Sequence, residues 1–178
     1  MSLTPPQDLA LTLLRGRRSA RSWIAGSAVL SPFLARDPGD IDVHHPDAKT
    51  ARAAIRTDLA LLLEHGFAID GSDWQEAEHW ARFRHETGSL VLNWVVVAHP
   101  DRARPLQHPL FGFAVPVEDA VAEKLGIAQA FGRRKDIEDL RAIARAHPSL
   151  PRELSSRVEA FLRGTLSESR ATPDWGQP

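Results

Sequence analysis

The chain first alternates short apolar runs with longer amphipathic ones, and in its last third becomes amphipathic throughout. Leu9, Leu11, Leu13 and Leu14 follow Pro5-Pro6, prolines that an opening turn tolerates, and predict a helix ending near Gly16. Ser22-Trp23-Ile24-Ala25 is short, apolar and bounded by Gly26, the pattern of a buried strand. Residues 27–35 predict a short helix that Pro32 opens or bends, and Asp37-Pro38-Gly39 closes it as a turn. Asp40-Ile41-Asp42-Val43 alternates with period two, so a strand would turn both carboxylates to one face and Ile41 and Val43 to the core. Ala51, Ala54, Ile55, Leu59, Leu62 and Leu63 give 48–65 helical spacing, with Gly66 placed to end it. Strands are predicted at 67–69, 80–85 and 90–97, the last rich in β-branched residues and entered through Gly88-Ser89. Residues 100–109 read as a polar, proline-containing loop, and 117–131, 135–147 and 151–166 as three helices punctuated by Pro148 and Pro151.

This order predicts an α/β (α+β) fold: a small mixed β-sheet flanked by helices, with a helical C-terminal half. One domain over 1–178 is expected, with the sheet in 20–100, the helical part in 115–166 and a loose tail over 167–178. A hydrophobic content of 43% is enough for an ordinary core. The 22 Lys and Arg against 23 Asp and Glu leave a net charge of −1, so a nucleic acid or anionic membrane would need a local patch. No apolar stretch is long enough to cross a bilayer and residues 1–7 are polar, so a cytoplasmic protein with no membrane partner is expected. The absence of cysteine excludes disulfides, thiolate ligands and thiol nucleophiles.

Two segments carry candidate chemistry. Gly26-Ser27 lies where a strand passes into a helix, a place from which backbone N–H groups and a hydroxyl can face a phosphate. Asp40 and Asp42, one residue apart on the next strand, can hold divalent cations whose charge offsets phosphates. Each half has a plain alternative, since Gly-Ser is common in turns and Asp-x-Asp on solvated strands. His44 and His45 with Asp40 or Asp42 could form a transition-metal site, although neighbours on a strand point to opposite faces. Trp23 and Trp94 read as core, while Trp74 and Trp80 are candidates for stacking a base. Arg15, Arg17, Arg18 and Arg21 can guide RNA or nucleotide, or simply form a solvated helix end.

Taken together, Gly26-Ser27, a short helix and Asp40-Ile41-Asp42-Val43 resemble the signature of the nucleotidyltransferase-fold superfamily. Arg36, four residues before Asp40, and the helical segments Ala122-Glu123-Lys124-Leu125, Arg133-Arg134-Lys135 and Asp136-Ile137-Glu138-Asp139-Leu140 resemble the branch of AbiEii-type toxin nucleotidyltransferases. The resemblance runs from about Trp23 to about Ile143. It implies a nucleotidyltransferase fold in which Gly26 and Ser27 hold a nucleoside triphosphate and Asp40 and Asp42 ligate magnesium or manganese. It further implies Lys124 as a catalytic phosphate contact, with Arg36, Arg133 and Lys135 adding charge, and Asp136 and Asp139 orienting the basic residues.

The implied reaction moves a nucleoside monophosphate from the triphosphate to a hydroxyl acceptor, RNA in the toxin-like branch, and the implied protein partner is an antitoxin. One position departs from the pattern: the strand that should supply a third carboxylate offers only Asn93, whose amide can neither accept a proton nor ligate as an anion. Asp37 and Glu78 are the carboxylates that can replace it from another direction. The alternative is a catalytically degenerate binding module of the same fold.

Overall fold

Prolines and glycines mark most element boundaries in the computed structural model, which describes residues 3–146 and 148–171. Helix α1 (Pro5–Leu14) opens on its two prolines and ends in a 3₁₀ turn at Arg15–Arg17. Gln7 accepts from the Thr4 N–H (3.0 Å) and donates to the Pro38 carbonyl (2.7 Å), tying α1 to the turn before the acidic strand. Strand β1 (Trp23–Ala25) runs directly into α2 (Gly26–Leu30), and a 3₁₀ turn at Ser31–Phe33 takes Pro32 into its first positions. Then come β2 (Ile41–His45), α3 (Ala48–Glu64), β3 (Ala68–Trp74), β4 (Glu78–His85) and β5 (Gly88–Val96). Asp47 caps α3 by accepting from the Thr50 N–H (2.8 Å). A short hairpin, β6 (Leu106–His108) and β7 (Gly112–Ala114), leads into α4 (Val117–Phe131), α5 (Arg134–Ala146) and α6 (Arg152–Ala171).

The strands form one seven-stranded mixed sheet in the order β3-β4-β5-β2-β1-β7-β6, so the expected α/β architecture with a helical C-terminal half is present. β2 lies parallel to β5 and antiparallel to β1, with Asp42 opposite Asn93 on one side and Ala25 on the other. Period-two alternation then separates two faces. Ile41, Val43 and His45 share one face with Leu92 and Trp94, all buried, and α1 and α3 cover it. Asp42 and His44 share the other with Asn93 and Val95, next to α4. One hydrophobic cluster runs from Ala10 to Val158 and joins the sheet to the C-terminal helices.

The structure corrects several expectations. The loop expected over 100–109 contains β6, a three-residue edge strand whose Leu106 is largely exposed, so it offers no alternation to read. β3 runs to Trp74, well past residue 69, because Asp70, Gly71, Ser72 and Asp73 form an edge strand with almost no buried face and resemble a turn in composition. β2 extends to His45 and β4 begins at Glu78. α6 continues past 166 to Ala171; the rest of the expected tail, His147 and Trp175 lie outside the described residues. Among the described residues no helix is long and apolar enough to cross a membrane.

Beneath the sheet lies a buried ion pair. Arg18 donates to Asp58 on α3 (2.5 Å), to the Ser22 hydroxyl (3.0 Å) and to the Leu14 carbonyl (3.4 Å), while Trp94 Nε1 donates to the other Asp58 oxygen (2.9 Å). Both charged side chains are almost wholly shielded from solvent. Removing one partner would leave the other charge stranded, which costs far more than the intact pair contributes. Asp58→Ala is therefore expected to lower stability by about 3–5 kcal/mol, read as the shift in a urea unfolding curve.

Candidate functional site

A cleft of about 430 Å³ opens between the acidic face of the sheet and helices α4 and α5, within the size range of ordinary ligand pockets. Its strand wall is built by three neighbouring segments. Gly26 sits in the left-handed region at φ 66°, and a Cβ there would stand 2.1 Å from Asp42 Oδ2. Only glycine allows the backbone to pass so close to that carboxylate. From the other side Asn93 Nδ2 donates to Asp42 Oδ1 (3.0 Å) and to Asp40 Oδ2 (3.3 Å), so one amide bridges both aspartates. Asn93 thus faces the acidic pair from the adjacent strand, in register with Asp42.

Asp42 carries the electrostatic signature of this wall. Burial pushes its pKa up to about 7, the Asp40 charge adds to the rise, the Asn93 hydrogen bond opposes it, and Glu123 and Glu78 add smaller repulsions. Asp40, Glu123 and Glu78 thus all act on Asp42 through space, Asp40 most strongly. Among the described residues no group of three or more His, Asp or Glu side chains converges as a preformed metal cage. Two carboxylates are nevertheless an ordinary protein contribution to a magnesium site, where water and phosphate oxygens complete the shell. Asp40 and Asp42 fit that donor set.

The helix wall is basic and knitted together. Lys124, a residue 9% exposed, donates through Nζ to Asp136 Oδ1 (3.1 Å) and Asp139 Oδ2 (2.9 Å). Arg36 reaches across from the turn before β2 and grips Asp139 with two nitrogens, at 2.9 and 2.6 Å. Arg133 donates to Asp136 at 2.6 Å. Burial alone would raise the Asp136 pKa, but the hydrogen bonds from Lys124 and Arg133 outweigh it and hold the carboxyl below its usual range. Two buried carboxylates thus organise three cations, as the sequence reading expects of Asp136 and Asp139. An ammonium has three N–H donors and Lys124 spends two of them on these aspartates, leaving one for the cleft it lines.

Gly26, Ser27, Arg36, Asp40, Asp42, Lys124, Arg133 and Lys135 all line this cleft, although they come from distant parts of the chain. Of the other candidates, His44 also lines the cleft and the rest lie elsewhere or at its margin. His44 shares the Asp42 face and burial lowers its pKa to about 4, whereas His45 is on the opposite face with Nδ1 3.3 Å from the Arg21 carbonyl. The two imidazoles therefore do not meet at one ion. Trp80 does not line the cleft, because it packs beside Gly71 with Arg82 over its ring, and Trp74 stands at a different cavity. Trp23 and Trp94 are in the core.

The arginines of the N-terminal cluster are dispersed. Arg18 is buried against Asp58, Arg21 pairs with Asp47, and Arg15 donates to the Pro109 carbonyl. None of the four lines the cleft. Asp37 is exposed and outside the lining, while Glu78 is within it. Glu123 also lines it, with a pKa raised by desolvation and opposed by Lys124. The sequence holds a signal for Glu123: Ala120, Glu123, Lys124 and Ile127 fall at i, i+3, i+4 and i+7, so a helix that aims Lys124 at the cleft brings Glu123 with it.

Comparison of the chain with known proteins gives no matching family model and no matching curated protein.

Two outcomes follow from the strand wall. Gly26→Ala is expected to displace Asp42 and to lower the melting temperature in calorimetric scans, since its Cβ would collide with that carboxylate at a left-handed backbone position. Asp42 has its pKa raised to about 7 from 3.8, so the unfolded chain ionises first and native stability falls as pH rises through that interval. Without divalent cation, Asp42→Asn should therefore melt above the wild type near about pH 8 and coincide with it at about pH 3, by calorimetric scans.

Proposed function

We propose that this cleft binds a nucleoside triphosphate with magnesium or manganese and transfers the nucleoside monophosphate to a hydroxyl acceptor, in the manner of AbiEii-like nucleotidyltransferases. The observation that carries the reading is the bridged pair itself: Asp40 and Asp42 joined by Asn93, against a glycine turn that admits no side chain, facing the Lys124 cluster across the cleft. An acidic wall opposite a basic one suits a polyphosphate, with the basic side contacting it directly and the acidic side through a cation.

A divalent ion held by Asp40 and Asp42 would supply charge neutralisation and fix the phosphate for in-line displacement. The remaining work falls to the chain. The open turn at Gly26 and Ser27 receives phosphate oxygens, and Lys124, locked by Asp136 and Asp139, offers its remaining N–H without reorganising. Arg133 and Lys135 stand on the same wall and counter charge on the departing pyrophosphate. In the transfer, the acceptor oxygen forms a bond to the α-phosphorus, the α–β bridging bond breaks, and pyrophosphate leaves with the electron pair. The acceptor proton requires a carboxylate, and Glu78 and Glu123 are the lining carboxylates beyond the metal-binding pair. The acceptor is proposed to be an RNA hydroxyl and the protein partner an antitoxin, both on the resemblance to the toxin branch.

A second reading has a specific observation in its favour. Asn93 fills the register of the third carboxylate with an amide, so the cleft can bind nucleotide yet fail to transfer it. Calorimetric titration of the four nucleoside triphosphates with magnesium tests the common premise. Binding is expected to be lost in the Asp40→Ala, Asp42→Ala double variant and weakened by about 10–100-fold in Lys124→Met. If no triphosphate binds the wild type, the proposal fails. Asn93→Asp separates the two readings: a nucleotide-binding but inactive wild type that gains transfer in this variant identifies the degenerate module, and robust wild-type transfer unaffected by the change identifies the enzyme.

A further inference from the structure

On the opposite face of the sheet a second cavity of about 340 Å³ lies between the first turns of α3 and the start of β4. Its apolar lining comes from Ala51 and Ile55 of α3 and from Trp94 and Val96 of β5. One side is a ladder of rings: Trp74 stacks on His79 with centroids 3.9 Å apart and planes 25° apart, and His79 stacks on Trp94 at 5.5 Å and 23°. The Trp74 ring is exposed at the cavity, 59% accessible, although the two rings behind it are buried.

The polar lining of this cavity offers acceptors beside the donors of Arg52 and Gln75. His79 is 4% exposed, and its Nδ1–H donates to the Asp73 carbonyl at 2.8 Å. Burial lowers its pKa, so the ring is neutral near pH 7 and Nε2 keeps a lone pair that has no partner among the described residues. Glu76 adds a carboxylate at the rim, against Arg52 as the lining cation, whereas Glu78, in register with Val95, turns its side chain to the cleft face. A hydrocarbon ligand would leave these acceptors unmet, and an anionic ring would meet the Glu76 carboxylate. A flat ring with N–H groups satisfies both the aromatic surface and the acceptors.

We infer that this cavity is a second ligand site, separate from the cleft, that takes a planar heteroaromatic ring bearing amino groups, the chemistry of an amino-substituted nucleobase. The ring stacks on the exposed indole of Trp74 and donates to His79 Nε2 and the Glu76 carboxylate. Glu78 lines both cavities, so a ligand here touches the wall of the cleft without occupying it. The inference does not depend on nucleotide transfer.

Nucleosides are suitable probes because they lack the phosphates that the cleft is proposed to hold. Adenosine, cytidine and uridine are titrated into the full chain by calorimetry and by ligand-observed saturation-transfer NMR, with a single-stranded oligoadenylate as a further arm. Adenosine and cytidine are expected to bind, with uridine weaker because a carbonyl replaces the cytidine amino group. Trp74→Ala should weaken binding by about tenfold or more. His79→Phe keeps a ring in the ladder but removes the acceptor, and should weaken it comparably, while thermal unfolding shows that both variants remain folded. Tighter binding of the oligoadenylate than of adenosine identifies a base of a single strand as the natural source, and equal binding a free nucleoside. No nucleoside binding to the wild type, uridine binding as well as cytidine, or binding unchanged in both folded variants overturns the inference.

Discussion

Asp139 takes two nitrogens of Arg36 on one oxygen pair and the Lys124 ammonium on the same carboxylate, and it does so while 2% exposed. Arg36 lies 103 residues away in the turn that leads to the acidic strand, so this single carboxylate joins the helical half of the chain to the sheet at the rim of the cleft. Buried charge is tolerable here only because every member has a partner: Asp136 receives Lys124 and Arg133, and Asp139 receives Lys124 and Arg36. The placement of the cations on the cleft wall depends on that network. If it loosened, the hydrophobic cluster would still pack α4 and α5 on the sheet, but Lys124 and Arg36 would lose their fixed place opposite Asp40 and Asp42.

The two walls store opposite kinds of electrostatic stress. On the helix side three cations share two carboxylates, and that of Asp136 is held low. On the strand side carboxylates face one another, and that of Asp42 is pushed up to about 7. Asn93 relieves part of the repulsion by donating to both aspartates, which a carboxylate at the same place would instead aggravate. The amide that relieves this repulsion therefore brings no negative charge of its own to the wall. Gly26 adds a steric condition to the electrostatic one, since the chain can turn beside Asp42 only without a side chain.

Those parts of the fold that bury one face were legible in the sequence. Ile41 and Val43 alternate with Asp42 because one side of β2 meets α3 and the other meets the cleft, and α3 shows its helical period because its apolar stripe lies on the sheet. β3 and β6 were not legible because edge strands exposed on both faces leave no hydrophobic record of their pairing. The candidate site was readable where it is local, at Gly26-Ser27 and Asp40-x-Asp42. The roles of Arg36 and Asp139 rest on a contact across 103 residues that no spacing rule encodes. Arg18 illustrates the opposite failure: in sequence it belongs to a basic run, yet Asp58 draws it alone into the interior.

The two outer strands also decide how the molecule meets its own copies. A sheet edge offers unpaired backbone groups, and a flat apolar edge recruits a further strand. Here one edge is β3, broken by a register shift between Ile69 and Gly71 and marked by Asp70 and Asp73, with Asp70 drawn to Arg84 at 2.8 Å. The other is β6, three residues long between Pro105 and Pro109. Irregularity and charge on one side, and brevity and proline on the other, make both edges poor templates for fibrillar growth. The same polarity that hid these strands from a pattern-based reading is what protects the sheet from self-association.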